Sequence, residues 1–402
     1  MHYTTWSLLL SILPALAFPF ATDVHDVPQD KIDLAIPEDF ETESTFTVPA
    51  IPNPNFRRDG FLELKKAYHK YQRHFSYLVI PPGLLNYTTS NYTTSEDLLR
   101  RGARTGSSAA VPVGQDIMYL APVYIGNQKF NLNFDTGSSD LWVFSNKLPK
   151  SLQTQRKKLG GTLYTPAANI KPVKGFTWGS SYVDGSTASG VVVVDKVKIG
   201  GITVAKQAVG MTSKVSRNLE YFNGDGILGL AFSILNSVAP TKQKTWFENA
   251  LPQLKAKVFT ANLNRLAVGS YDWGYINPKY SKRIGWAKLR TSSGWWHVDA
   301  AGGIKVNGKS ATDRRSYNLG AVLDTGSSLL LLPDPLVKLY YAKVPKARYI
   351  PEAGAWVYPC TSDSLQSFGN PSALPFIYGD VFFKANFGVF DFGNRRFGFS
   401  QK

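Results

Sequence analysis

One pentapeptide occurs twice in this chain. Asp135-Thr136-Gly137-Ser138-Ser139 returns 189 residues later as Asp324-Thr325-Gly326-Ser327-Ser328. In each copy an apolar run, 131–134 or 321–323, leads into the Asp, and apolar residues follow. Internal repetition constrains architecture before any other feature does. A period this long does not describe a solenoid; it predicts two similar lobes, each presenting one carboxylate. A lone Asp-Thr-Gly would mark an ordinary β-turn, because Asp and Gly favour turns. The matched flanks separate this pair from that reading.

Two carboxylates brought together in a partly desolvated cleft cannot both ionise cheaply. The pair then holds one proton and one charge and titrates as a unit. It offers a general base and a general acid at once, which suits water attack on an amide carbonyl. Asp135 and Asp324 are the candidate catalytic pair. Gly137 and Gly326 allow the tight turn after each Asp. Thr136 and Thr325 are expected to hydrogen-bond inside their own loops, and Ser138 and Ser327 to hold the outer carboxylate oxygens.

These residues carry a family likeness. With the runs 134–145, 181–190, 222–232, 322–333 and 377–383, the chain resembles the pepsin-like aspartic proteases, most of all the secreted fungal aspergillopepsin and penicillopepsin type. The resemblance covers nearly the whole chain. It implies an all-β, bilobal fold with two pseudo-twofold-related lobes and a deep cleft between them. It also implies an acid endopeptidase, made as a zymogen, that binds an extended polypeptide and acts as a monomer.

In the segment Trp178 to Ser186, Asp184-Gly185 is a strong hairpin signal. The hairpin resembles the flap that covers substrate in this family. Tyr182 matches the flap tyrosine, and Val183, Asp184 and Gly185 complete the tip. Val183 departs from the usual Gly, and a branched residue there stiffens the backbone. Trp178 is expected to shape the cleft; Trp142 is read either as a cleft residue or as core packing beneath the tyrosine. Gly224-Asp225-Gly226-Ile227-Leu228-Gly229 matches a dinucleotide fingerprint in letters only, because no βαβ unit surrounds it. It resembles the apolar-apolar-Gly element that crosses beneath the first catalytic loop, and 376–380 is its counterpart.

The regions before the first pentapeptide have a different character. Residues 1–21 read as a signal peptide, short and apolar, with Ala15-Leu16-Ala17 near its end. Residues 22–105 read as a propeptide. Phe61, Leu64, Tyr68, Tyr71 and Phe75 follow helical spacing there, opposite a basic face. The resemblance makes Lys70 the candidate that neutralises the Asp pair in an inhibited precursor. Asn86 and Asn91 begin glycosylation sequons. Residues 106–285 and 286–402 are the expected catalytic lobes, the first carrying the flap. Within the first, 147–165 reads as a basic loop. The expected location is extracellular, with the vacuole as the alternative destination.

Charge and cysteine usage narrow the partners. The chain carries 45 Lys and Arg against 29 Asp and Glu, a net charge of +16. Beyond residue 105 the count is 35 against 17, a basic balance unexpected in an acid protease. It fits polyanion or surface adhesion, but no nucleic-acid-binding motif accompanies it. No membrane span and no metal or cofactor motif is visible. Cys360 is the sole cysteine, so no disulfide can form within the chain. Only 361–375 separate it from Phe376, where relatives have a few dozen more residues. The second lobe is therefore expected to be short. The alternatives to a working protease are a catalytically impaired peptide-binding relative or an incomplete gene model.

Overall fold

The computed structural model describes residues 105–113, 117–181, 187–290, 292–299, 305–306, 309–310, 320–332, 334–350, 355–359, 365–368 and 376–402. The signal, propeptide and glycosylation assignments, Lys70, the hairpin tip 182–186 and Cys360 lie outside these residues.

Sheet dominates. In chain order the first strands are β1 (Gly106–Val113), β2 (Met118–Ile125), β3 (Gln128–Asp135), β4 (Leu141–Phe144), β5 (Thr177–Ser181), β6 (Thr187–Ile199), β7 (Ile202–Val215) and β8 (Gly226–Gly229). There follow β9 (Val258–Asn264), β10 (Ala267–Trp273), β11 (Gly285–Lys288), β12 (His297–Val298), β13 (Lys305–Val306), β14 (Lys309–Ser310), β15 (Ala321–Leu323) and β16 (Leu330–Leu331). The last are β17 (Arg348–Ile350), β18 (Ala355–Pro359), β19 (Leu365–Phe368), β20 (Phe376–Tyr378), β21 (Asn386–Asp391) and β22 (Arg396–Gln401). Helices are short: α1 (Lys150–Lys158), α2 (Trp246–Ala250), α3 (Pro278–Ser281), α4 (Asp334–Tyr341) and α5 (Asp380–Ala385).

One 13-stranded sheet runs in the order β11-β22-β21-β9-β10-β1-β2-β3-β8-β4-β7-β6-β5. The closing strand pair of the chain thus joins the sheet that carries β3 and Asp135, through the pairing of β21 with β9. Phe259 and Phe390 stack at that seam with ring centroids 4.4 Å apart, and both are fully buried. A second sheet holds β12-β15-β20-β16.

The sequence repeat becomes a repeat of topology. β3 pairs parallel with β8, and β4 pairs antiparallel with β8. In the same way β15 pairs parallel with β20, and β16 pairs antiparallel with β20. Each Asp-Thr-Gly loop therefore arches over a crossing strand. The crossing needs glycine for a steric reason. A Cβ on Gly229 would lie 2.5 Å from the Asp140 nitrogen, and one on Gly379 would lie 2.3 Å from the Ser327 carbonyl oxygen. Only a residue without a side chain lets the two backbones approach so closely. The Gly-x-Gly-x-x-Gly run accordingly serves as a floor under the loop, in strand rather than at a helix start.

The segment 147–165 contains helix α1 rather than an uninterrupted loop. Its sequence, KSLQTQRKK, offers one apolar anchor, Leu152, which packs partly buried against the core. The second anchor is a cation, which hydrophobic periodicity does not register. Arg156 is 3 % exposed and lies over the Phe144 ring, 4.1 Å from its centroid. It donates to the carbonyls of Phe222 and Gly224 and sits 3.9 Å from Asp225. Asp225 also accepts from the amides of Asn131 and Thr162, at 2.8 and 2.7 Å. This network leads directly into β8.

Burial pushes the Arg156 guanidinium down in pKa, with Asp225 opposing. Burial pushes the Asp225 carboxyl up, against the pull of two amides and Arg156. Asp225 therefore binds its proton more readily in the folded than in the unfolded chain. Its contribution to stability is in place below the ordinary carboxylate range and is lost as pH rises through the raised value. Arg156→Ala leaves a buried carboxylate and two carbonyls without their cation. It should cost about 3–5 kcal/mol at pH 7, and less at acid pH, where Asp225 takes up a proton. Urea unfolding at both pH values checks this; an equal or greater loss in acid would contradict it.

Candidate active site

The end of β3 delivers Asp135 and the end of β15 delivers Asp324, each at the mouth of its loop. Asp135 is 2 % exposed and Asp324 is fully buried. The two carboxylates are held alike. Gly137 N donates to Asp135 Oδ1 at 2.8 Å, and Gly326 N donates to Asp324 Oδ1 at 3.0 Å. Ser138 Oγ donates to Asp135 Oδ2 at 2.5 Å, and Ser327 Oγ donates to Asp324 Oδ2 at 2.5 Å. Each Asp thus receives two donors from its own loop, which fixes its orientation.

The threonines act differently from the expectation. Their hydroxyls bond across to the opposite loop instead of within their own. Thr136 Oγ1 donates to the Leu323 carbonyl and Thr325 Oγ1 to the Phe134 carbonyl, both at 2.7 Å. Thr325 N donates to Thr136 Oγ1 at 2.9 Å, and Thr136 N to Thr325 Oγ1 at 3.2 Å. Both threonines are fully buried. The exchange is reciprocal, so moving one loop breaks bonds in both. A one-sided sequence motif cannot show this, because either hydroxyl could have closed a local turn.

The loops are also in steric contact. A Cβ built on Gly326 would lie 2.2 Å from Asp135 Oδ1. Beneath them, Tyr271 on β10 is fully buried, with its ring 4.9 Å from that of Phe134. Burial, then Asp380, pushes its phenol well above the usual range, so it stays protonated under the site. Asp380 ties α5 to the second loop through its amide, which donates to the Ser327 carbonyl at 2.7 Å.

Trp142 is fully buried and stacks on Trp178, with centroids 5.7 Å apart and planes 19° apart. Trp178 is 4 % exposed. Both belong to one buried cluster with Phe144 and Ile227, which places them in packing. Their neighbours had no sequence signal of their own. Asp140 and Ser180 are buried polar residues that join the first loop to β5. Trp295 Nε1 donates to the Gly137 carbonyl at 3.1 Å and braces the same loop from the far side. Among the described residues, no group of three or more His, Cys, Asp or Glu is placed to hold a metal ion, and no helix is long and apolar enough to cross a membrane.

Comparison with known proteins gives a consistent result. A family model described as eukaryotic aspartyl protease matches residues 118–369, a span that includes both Asp loops. Endothiapepsin of Cryphonectria parasitica is 40% identical over 344 residues, covering 83% of this chain and 77% of that protein. Penicillopepsin-2 of Penicillium janthinellum is 34% identical over 388 residues, covering 88% and 95%. The crystal structure of the aspartic proteinase from Irpex lacteus aligns with a TM-score of 0.56 at 17% identity, over 75% of this chain and 98% of that one. At that identity the structural likeness speaks to the fold, which is pepsin-like.

Proposed function

This chain belongs to the eukaryotic aspartyl protease family and is an aspartic endopeptidase, and from that premise we propose that Asp135 and Asp324 hydrolyse peptide bonds together by sharing one proton. The reciprocal bonding of Thr136 and Thr325 carries this reading. It ties the two loops into one unit and holds their carboxylates in a fixed relation. The ionised member takes a proton from a water between them, and the protonated member polarises the scissile carbonyl. The proton then passes to the leaving amine, which restores the pair. Ser138, Ser327 and the amides of Gly137 and Gly326 orient the carboxylates throughout.

Residues 106–285 and 286–402 form the two catalytic lobes, and the hairpin carrying 182–185 covers an extended polypeptide. Residues 1–21 direct secretion. Residues 22–105 keep the enzyme as a zymogen, with Lys70 set against the Asp pair. Asn86 and Asn91 are glycosylated, and the enzyme works as a monomer away from nucleic acid.

Activity requires the singly protonated pair. It should fall in strong acid, when both carboxylates are protonated, and again towards neutrality, when both ionise. Digestion of a denatured protein from pH 2 to 7 should give such a bell-shaped profile, unchanged by a chelator. A soluble, folded protein that retains peptide intact at every pH would reject catalysis and favour a peptide-binding role.

A further inference from the structure

Asp140 follows the first pentapeptide and is 5 % exposed, yet the two-carboxylate mechanism does not use it. Donors reach it from two other segments. Ser180 Oγ on β5 donates to Oδ2 at 2.9 Å. Asn236 Nδ2 and the Ser237 amide donate to Oδ1 at 2.7 and 2.9 Å. Asn236 Nδ2 also reaches the Ser139 carbonyl at 3.1 Å, inside the loop that carries Asp135.

The place of Ser180 in its strand is informative. Along β5 the side chains alternate exposed and buried, with Trp178 and Ser180 facing inward. The inward position beside a buried Trp would ordinarily take an apolar side chain. Here it holds a hydroxyl that is 3 % exposed and aimed at a buried carboxylate. β5 is also the terminal strand of the 13-stranded sheet. On its inner side it is held by β6. Among the described residues its outer edge is tied to the segment after Asn236: Thr177 and Ala239 exchange amide bonds at 3.0 and 2.9 Å, and the Gly179 amide donates to Ser237 Oγ at 3.3 Å. Asp140 grips that same segment and Ser180 with its two oxygens.

We propose that Asp140 is a positioning residue that fixes the stem of the β5–β6 hairpin relative to Asp135, acting through the Ser180 hydroxyl. The inference rests on the two-carboxylate reading, because it concerns where substrate is held relative to that pair. A hydrogen bond to a buried carboxylate is among the stronger neutral-to-charged contacts. Losing it frees the edge strand without touching either catalytic Asp, so substrate binding should weaken more than turnover.

The test compares Ser180→Thr with Ser180→Val, which differ only in a hydroxyl against a methyl, so packing effects cancel. The substrate is a peptide spanning a bond mapped with the wild-type enzyme. Ser180→Thr should keep KM within about twofold of wild type, while Ser180→Val should raise it about 5- to 10-fold with a smaller change in kcat. The two variants should melt within a few degrees of each other. Equal KM values in two active variants would overturn the proposal and leave the two-carboxylate reading standing. If neither bulkier residue folds, Ser180→Ala must show the KM rise, and an unchanged KM there overturns the proposal too. Absence of cleavage by the wild type from pH 2 to 7 would overturn both readings together.

Discussion

Asp324→Asn should abolish peptide hydrolysis while leaving the fold intact. The side chain keeps its shape, and its amide oxygen can still accept from Gly326 N, as Asp324 Oδ1 does at 3.0 Å. The amide nitrogen can donate to Ser327 Oγ, the partner of Oδ2. The threonine exchange between loops does not involve the carboxylate. In the proposed mechanism, what the substitution removes is the shared proton. Asp135 is left alone, with no second carboxylate to raise its pKa and none to take up or return a proton. Turnover needs both an acid and a base, so kcat should fall roughly 10,000-fold. Melting temperature should move by only a few degrees, and KM should hold, because the groups that bind peptide are untouched. Kinetics on the purified variant beside wild type, at the pH where the wild type is most active, settle the point. Retention of a tenth of wild-type kcat would mean that the pair does not act as a unit.

Most of this site was legible because its chemistry sits in a contiguous motif that occurs twice. The repeated pentapeptide pointed to Asp135 with Asp324, and the family resemblance matched the run 224–229 with 376–380. The structure adds the reason, which is backbone contact over Gly229 and Gly379. The unreadable parts share one property: their meaning depends on partners distant in the chain. Thr136 and Thr325 could have closed local turns, and only the approach of the two loops decides otherwise. Arg156 looks like one more cation in a basic stretch until Phe144, Phe222, Gly224 and Asp225 surround it. Its burial turns a segment with a single apolar anchor into a helix. Trp142 was readable as either cleft or core, because aromatic residues serve both; its stack with Trp178 places it in packing. Ser180 had no signal, since a buried serine in a strand differs from an exposed one only by its neighbour.

Gly326→Ala should be nearly as damaging as loss of an Asp, for a purely steric reason. Gly326 lies in the second loop, but its missing side chain points at the carboxylate of the first. An added methyl would stand 2.2 Å from Asp135 Oδ1 and 2.4 Å from its Cγ. Carbon and oxygen need about 3.5 Å or more for ordinary contact, so something must move by over an ångström. The Gly326 backbone is tethered by its bond to Asp324. Its neighbour Thr325 is locked into the exchange with Thr136 and Phe134. Asp135 is held by Ser138 and Gly137. Either the Asp135 carboxylate rotates away from its two donors or the loops separate and strain the threonine bonds. Both routes spoil the relation between the two carboxylates. A displacement of about 1 Å at reacting groups can cost on the order of 100-fold, and here it also disturbs proton sharing, so kcat should drop roughly 1,000-fold. Charge, acid and base all remain in this variant, which separates it from Asp324→Asn. Its residual activity should also show a shifted pH profile, because the coupling between the carboxylates changes with their separation. A Gly326→Ala enzyme with kcat within tenfold of wild type and an unmoved profile would show that the loops do not approach as described, and that the pair tolerates a looser geometry than proton sharing requires.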